Sequence, residues 1–498
     1  MADADLDARF VQLQRRLVPL WTSIETFTQD PQTIVVVPSI SLDSTIRGAR
    51  QQAYEERYLF LLLLLRQPRA RMVYVTSQAI HPDVVDYYLD LLPGVLSSHA
   101  RRRLWLVSPL DGSSRPLSRK LLERPRLIAH IQSLIPDRHR AHLVPFNTTP
   151  LERDLALALD IPMYGSDPKH APLGGKSGAR RIFAEEGVPH PLGVEDLRSQ
   201  ADLAEAIADM RARKPSIRTV VVKLNEGVSG EGNAHLDLTA LAGPAARPAD
   251  VRAHLDSMRF ESAEMTAERY FTTMAERGGI VEELIAGRDV RSPSAQLRVT
   301  PLGRVEGLST HDQVLGGPSG QSYLGCRFPA DAEYGPAIMR EAMKVGRRLM
   351  REGVLGRFAL DFVTVRNDAG AWESYAIEIN LRKGGTTHPF LTLQFLTDGT
   401  YDPSTGLFTT PLGEAKYFVA SDHLESPRYR VYTHHDLFDI VARHGLHFDQ
   451  TRQKGVVFHM MNALGESGLL GLTAVGNSHD EATATYERTV AVLDEESR

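Results

Sequence analysis

Two acids and an amide in the second half of the chain are the first residues whose types and spacing point to chemistry. Asp361 sits in Leu360-Asp-Phe362, and Glu378 and Asn380 sit in Glu378-Ile-Asn380. Both stretches lie in apolar runs of the kind that form strands. Residues two apart on a strand share a face, so Glu378 and Asn380 point the same way. If Asp361 faces them from the neighbouring strand, three oxygen ligands converge, and hard oxygens with room for water and phosphate suit Mg²⁺. A polar face turned to solvent is the alternative, but an unpaired carboxylate inside an apolar strand is costly.

Upstream, two lysines could meet phosphates. Val222-Lys223-Leu-Asn-Glu226-Gly227-Val-Ser229-Gly230-Glu-Gly232-Asn233 puts a lysine at the end of a β-branched strand, followed by three glycines and a serine. Such a loop can fold over phosphates with its N–H groups unobstructed, although a Gly-rich hairpin turn has the same composition. Gly175-Lys176-Ser177 ends like a P-loop, but the first glycine of that motif falls at His170, which argues against it. Lys176 therefore reads as a lysine at the N-terminal edge of a helix, where it can help hold an anion. Ile280-Val-Glu282-Glu283-Leu284-Ile285 could line an adenine slot, with an edge strand carrying solvated acids as the plain alternative.

The elements that must position these residues follow from periodicity. At 498 residues the chain is too long for one core. The first third alternates strands (34–37, 72–76, 104–107, 142–144) with helices (49–66, 81–92), the pattern of an open, largely parallel α/β sheet. Further on, a helix is expected over 177–186, strands over 219–223, 280–284, 359–365 and 375–379, and one helical segment from about 248 to 277. A smaller mixed unit forms the last hundred or so residues. The composition, 42% hydrophobic and 24% charged with net charge -5, leaves no electrostatic footprint for nucleic acid. The Leu59–Leu65 run is too short to span a bilayer and reads as a buried helix. The N-terminus lacks signal-peptide character, and the single cysteine, Cys326, reads as a buried structural thiol in a reducing compartment. A cytoplasmic location is expected.

In order and spacing, Lys176, Lys223 with its Gly-rich loop, Val-Glu-Glu-Leu-Ile, Asp361 and Glu-Ile-Asn together resemble the ATP-grasp superfamily over about 164–393. The resemblance implies ATP and Mg²⁺ as cofactors. It gives Lys176 and Lys223 to the α- and β-phosphates, and Glu226 to Asn233 to a mobile lid. It gives Glu282 to the adenine amino group, the backbone of Glu283, Leu284 and Ile285 to the base, Asp289 to the ribose, and Asp361, Glu378 and Asn380 to magnesium. The stretch Glu378-Ile-Asn-Leu-Arg382 with His388-Pro389 is similar to that of biotin-carboxylase-like members, whose arginine lies beside the reacting centre. Other ATP-grasp ligases place an arginine just before the magnesium aspartate, and here the nearest is Arg357. The oxyanion role stays open between Arg382 and Arg357, with Arg382 favoured.

Outside that core, the chain is similar to peptide ligases of the pheganomycin type. The strings are Arg291–Arg298, Ser309–Gly317, Gly325–Ala330, Gly384–Phe390, Gly455–His459 and Gly471–Gly476. This implies an ATP-grasp fold flanked by an N-terminal open α/β pre-ATP-grasp domain and a small C-terminal α+β domain, divided as 1–165, 166–400 and 401–498. It also implies a ligase that joins a small-molecule carboxylate to an amino acid or peptide amine in making a specialised peptide. Ester or thioester formation, phosphotransfer and a non-catalytic nucleotide-binding module are the rival readings. Dimers are common in the superfamily, so a homodimer is one expectation. His311 and Asp312, read as a loop after a strand, could shuttle a proton or orient substrate, and Gln313 and Arg298 could touch a carboxylate. The pair His434-His435, read as strand residues on opposite faces, is not expected to bind metal.

Overall fold

The computed structural model describes residues 2–25, 30–42, 46, 48–226, 232–241, 247–262, 264–316 and 322–498. Strands β1 (Gln32–Val37), β2 (Ala70–Val75), β3 (Leu104–Val107) and β4 (Ala141–Pro145) make a parallel sheet in the order β3-β2-β1-β4. Their continuous apolar runs are covered on both faces. Ile34, Val36, Met72 and Tyr74 enter one core, while the alternate residues Val35, Val37, Val73 and Val75 enter another. The helix expected over 49–66 is an α-helix only across Ala49–Glu56. Arg57–Arg66 continues it as a 3-10 helix, with Leu59–Leu63 and Leu65 fully buried. A segment apolar on every side has no polar face to leave in water, so it is enclosed all round.

The second sheet is antiparallel: β5 (Gly193–Leu197), β6 (Thr219–Leu224), β7 (Asn233–Asp237), β8 (Arg259–Phe260) and β9 (Gly279–Glu283), in the order β5-β9-β6-β7-β8. The helical segment expected from 248 to 277 is two helices, Pro248–His254 and Ala267–Arg277, with β8 between them. Arg259 and Phe260 pair with His235 and Ala234 at the sheet edge, and Thr266 caps a new helix by accepting from Arg269 N–H. Pairing with a distant strand overrides the local helical pattern there.

A third sheet of nine strands carries the expected magnesium residues. It comprises β10 (Val290–Arg291), β11 (Pro293–Val299), β12 (Val305–Gly316), β13 (Ser322–Phe328), β14 (Gly356–Arg366), β15 (Trp372–Asn380) and three C-terminal strands. After a separate hairpin of β16 (Thr400–Asp402) and β17 (Leu407–Thr409), these are β18 (Tyr417–Glu425), β19 (Gly455–His459) and β20 (Leu469–Gly476). β13 pairs antiparallel with β18, so the last hundred residues extend this sheet rather than starting their own. The amphipathic Gly335–Arg351 helix packs Ile338, Ala342, Val345 and Leu349 into the core with Leu297 of β11 and Phe358 of β14. Among the described residues, no helix is long and apolar enough to cross a membrane.

Candidate functional site

A cavity of about 1200 Å³ is lined by both antiparallel sheets, by Tyr54, Arg57 and Phe146 of the N-terminal third, and by Asp422 and His423 of β18. Lys176, Lys223, Gly232, Asn233, Glu282 to Ile285, Asp312, Gln313, Asp361, Glu378, Asn380 and Arg382 all line it.

Its centre is the β14–β15 pair, where Asp361 stands opposite Glu378. Asn380 Nδ2 donates to Asp361 Oδ2 at 3.0 Å, and Gln313 Nε2 donates to Asp361 Oδ1 at 2.9 Å. Burial, then the charge of Glu378, pushes the Asp361 carboxyl up to about 6. Burial also opposes ionisation of Glu378, but Lys176, Arg382 and Lys223 together outweigh it and hold that carboxyl below its ordinary value. Lys176 Nζ lies 2.6 Å from Glu378 Oε1. Two facing carboxylates whose repulsion raises one of them, with an amide alongside, fit a hard divalent cation in chemistry and number. Gln313, expected to touch a substrate carboxylate, lines the cavity and donates to Asp361.

Lys176 opens the Lys176–Glu185 helix, and the first turn is tied down: Ser177 N–H and Oγ both donate to Asn225 Oδ1, at 3.0 and 2.8 Å. Gly178 must be glycine, because a Cβ there would lie 2.0 Å from the Pro172 carbonyl oxygen. Lys223, at the end of β6, pairs with Glu282 of β9. The other carboxylate oxygen of Glu282 meets Arg180 Nη1 at 3.2 Å, and Arg180 also holds Glu195 at 2.7 Å. Both oxygens of Glu282 are thus engaged by cations. Glu283 pairs with Lys214 at 2.5 Å and accepts from Leu192 N–H. Of the expected lid, Gly227, Ser229 and Gly230 lie outside the described residues; Glu226 is exposed, 3.4 Å from Arg277.

Several residues lie elsewhere than the sequence suggests. Asp289 is not among the cavity-lining residues: β10 pairs with β14 and leaves Asp289 beside Arg291 and Arg366, at 3.0 and 3.7 Å. His311 and Asp312 lie within β12 rather than on a loop. His311 is fully buried against Phe328, Phe390 and Phe418, and burial pushes its imidazole down to about 3, so it cannot shuttle protons near neutrality. Asp312 lines the cavity but accepts from Tyr334 O–H at 2.7 Å and Asp331 N–H at 3.0 Å. Arg298 pairs with Glu306 and lies over Trp21, away from the cavity lining.

Arg357 sits opposite Arg298 in the β14–β11 register, also outside the lining; burial, then Arg298, pushes it down to about 10. Arg382 does line the cavity, and among the described residues no acid lies within ion-pair distance of it. His434 and His435 begin the His434–Arg443 helix instead of a strand, and His434 packs on His81. Cys326 is fully buried, which pushes its thiol up to about 12.

Sequence reasoning missed Tyr54, Arg57, Phe146, Asp422 and a buried cluster of His388, Asp422 and His459. This cluster is the only group of three or more such side chains among the described residues whose ligand atoms converge closely enough to hold a metal ion. The strings Gly384–Phe390 and Gly455–His459 carried two of its members. Asp422, in a strand, and Arg57, ahead of a leucine run, gave no local signal.

The family model described as IQCH-like, ATP-grasp matches residues 170–259 and 248–404, and the one described as PGM1 C-terminal domain matches 436–489. The chain is similar to the L-propargylglycine–L-glutamate ligase of Streptantibioticus cattleyicolor, 31% identical over 447 residues, 88% of each chain. It is also similar to IQ motif-containing protein H of Danio rerio, 23% identical, covering 97% of this chain and 50% of that one. Among solved structures, it is like the biotin carboxylase domain of Hydrogenobacter thermophilus 2-oxoglutarate carboxylase in complex with MgADP, ADP and bicarbonate. That match has 12% identity and a TM-score of 0.55 over 92% of this chain and 89% of that one. Biotin carboxylase from Campylobacter jejuni gives 12% and 0.54 over 94% and 96%. At these identities the structural likeness speaks to the fold.

Proposed function

Because the chain belongs to the ATP-grasp family of ATP-dependent carboxylate–amine ligases, we propose that it activates a substrate carboxylate as an acyl phosphate and couples it to an amino acid or peptide amine, releasing ADP and phosphate. The observation that carries this is the Asp361–Glu378 pair with Lys176 beside it and Arg382, which has no acidic partner among the described residues, all lining one cavity.

In this reading Lys176 and Lys223 receive the α- and β-phosphates, moving from their present carboxylate partners to new anions. Asp361, Glu378 and Asn380 would hold magnesium, which supplies charge neutralisation for the phosphates. Gln313 and Asn380 keep the Asp361 carboxylate turned toward that position. Arg382 offers a planar guanidinium to charge that develops on the acyl phosphate as the amine attacks the carbonyl and phosphate leaves. Arg357, away from the lining, would have a structural role. No covalent bond to the enzyme is needed. The single buried cysteine and the ATP requirement suit the cytosol, and a homodimer is measurable by light scattering.

The test is incubation with ATP, magnesium and a panel of acids and amines that includes L-glutamate and L-propargylglycine, the pair in the relative's name. An amide with stoichiometric ADP by mass spectrometry supports the proposal. A phosphorylated, ester or thioester product, or no product together with an active Asp361→Ala variant in the producing cell, overturns it.

A further inference from the structure

Two of the strings that the nucleotide site does not use meet at one point. Gly384–Phe390 delivers His388 and Gly455–His459 delivers His459; their Nε2 atoms lie 3.0 Å apart. Both reach Oδ1 of Asp422 on β18, at 3.1 and 2.8 Å, and all three side chains are 4% exposed or less. Gly471 on β20 makes room, since a Cβ there would lie 2.0 Å from the His459 ring. The other Asp422 oxygen, Oδ2, takes Arg57 Nη1 at 2.5 Å.

Arg57 is fixed a second time through its neighbour, because the Glu56 carboxylate accepts from the N–H groups of Met461 and Asn462, at 2.7 and 2.8 Å. Tyr54 lies 4.5 Å from the guanidinium carbon and Phe146 lies 5.7 Å from it. The guanidinium has five N–H donors. Asp422 takes Nη1, yet among the described residues the buried Nε has no partner, and the side chain lines the cavity while 4% exposed. An unsatisfied buried charged donor is expensive. The part of this cavity-lining guanidinium that Asp422 does not engage is placed to meet a ligand carboxylate.

Arg382 faces the same Phe146 ring from 6.0 Å, so two guanidinium groups share one wall. We infer that Arg57, held by Asp422, His388 and His459, is a second carboxylate socket that binds the free carboxylate of an amino-acid substrate, distinct from the carboxylate activated beside Arg382. Arg57 touches substrate; Asp422, His388 and His459 are positioning residues. The N-terminal third and the C-terminal strands thus contribute to substrate choice, which favours amino acids with an unblocked carboxylate over their amides. This rests on the ligase reading for which substrate is bound, but the binding itself is measurable without turnover.

The experiment is calorimetric titration of L-glutamate, L-propargylglycine and the α-amide of each into full-length protein holding ADP and magnesium. At least one free acid should bind about 10- to 100-fold more tightly than its amide. Arg57→Lys keeps a charge for Asp422 but loses the planar fork, and should erase that preference while leaving the Kd of ADP unchanged. His459→Gln should weaken the preference in part. In turnover, Arg57→Lys should raise KM for that acid with kcat nearly unchanged.

An Arg57→Lys protein that keeps the preference overturns the socket, as does failure of all four probes to bind the wild type. So does a stoichiometric divalent ion in the purified protein that is lost in His459→Gln, which would make the cluster a metal centre. If the probes bind as expected but no acid–amine pair gives an amide, the ligase reading fails and the socket stands.

Discussion

Glu282→Gln separates two roles for this carboxylate, which sits between Lys223 and Arg180. The three side chains are 3%, 9% and 3% exposed for Glu282, Lys223 and Arg180. Arg180 keeps Glu195 when Glu282 is neutralised, but among the described residues Lys223 has no other acid within ion-pair distance. Breaking a buried pair from one side costs about 3–5 kcal/mol, and the partial rescue of Arg180 places this case near ~3 kcal/mol. A nucleotide phosphate would return a counter-charge to Lys223. The loss should therefore be large in the free protein and shrink by about half or more at saturating MgADP, because binding is linked to stability. By the same linkage the Kd of ADP should tighten by about tenfold, the equivalent of the ~1.5 kcal/mol by which the loss shrinks. Urea denaturation with and without ADP, together with calorimetry, measures both quantities. Equal destabilisation in the two conditions would refute the transfer of Lys223 from carboxylate to phosphate. A Kd weakened by about tenfold with little loss of stability would instead return Glu282 to the adenine amino group, the value of one lost hydrogen bond.

Arg382→Lys should lower kcat by about 10²- to 10³-fold in amide formation with ADP binding intact, whereas Arg357→Lys should leave kcat within about threefold; the reverse order would exchange their roles. His311→Leu should cost about 1–2 kcal/mol in chemical denaturation, since it strands the buried Ser309 hydroxyl that bonds His311 at 3.1 Å. A changed pH–rate profile in that variant would contradict its place in the core. Burial, then Arg357, pushes Lys383 down to about 7, so above that pH the unfolded chain binds a proton that the folded chain does not. Stability from this group is therefore gained as pH rises from about 7 toward 10.5, roughly 2 kcal/mol between pH 7.5 and 9. Lys383→Met should flatten that rise, and an unchanged slope in denaturation free energy against pH would refute it.

The order of Lys176, Lys223, Glu282, Asp361, Glu378 and Asn380 was legible because strand periodicity and apolar context constrain where a charged side chain can go. Arg382, which lines the cavity, was singled out by the resemblance of its stretch to biotin-carboxylase-like members rather than by any local pattern. His311 misled because it reads as one polar group with Asp312 and Gln313, and nothing local says that Phe390 of the Thr387–Thr397 helix roofs that part of β12. The Arg57–Asp422 pair spans 365 positions, and its members have no pattern in common along the chain. The position of Asp289 beside Arg291 and Arg366 was illegible for a related reason: it follows from the pairing of β10 with β14, a long-range event.

The joining of β13 to β18 has a consequence for how this protein can be altered. Cys326 pairs with Ala420 and Arg327 with Val419, so removing the C-terminal strands would leave β13 as a long bare edge beside the site. Such an edge recruits other chains. The C-terminal segment is therefore not a detachable module to be exchanged among relatives at a linker. A chimera that aims to transfer substrate preference must take β10 and everything after it, and so the whole nine-stranded sheet, from one parent, or inherit a mismatched seam within it.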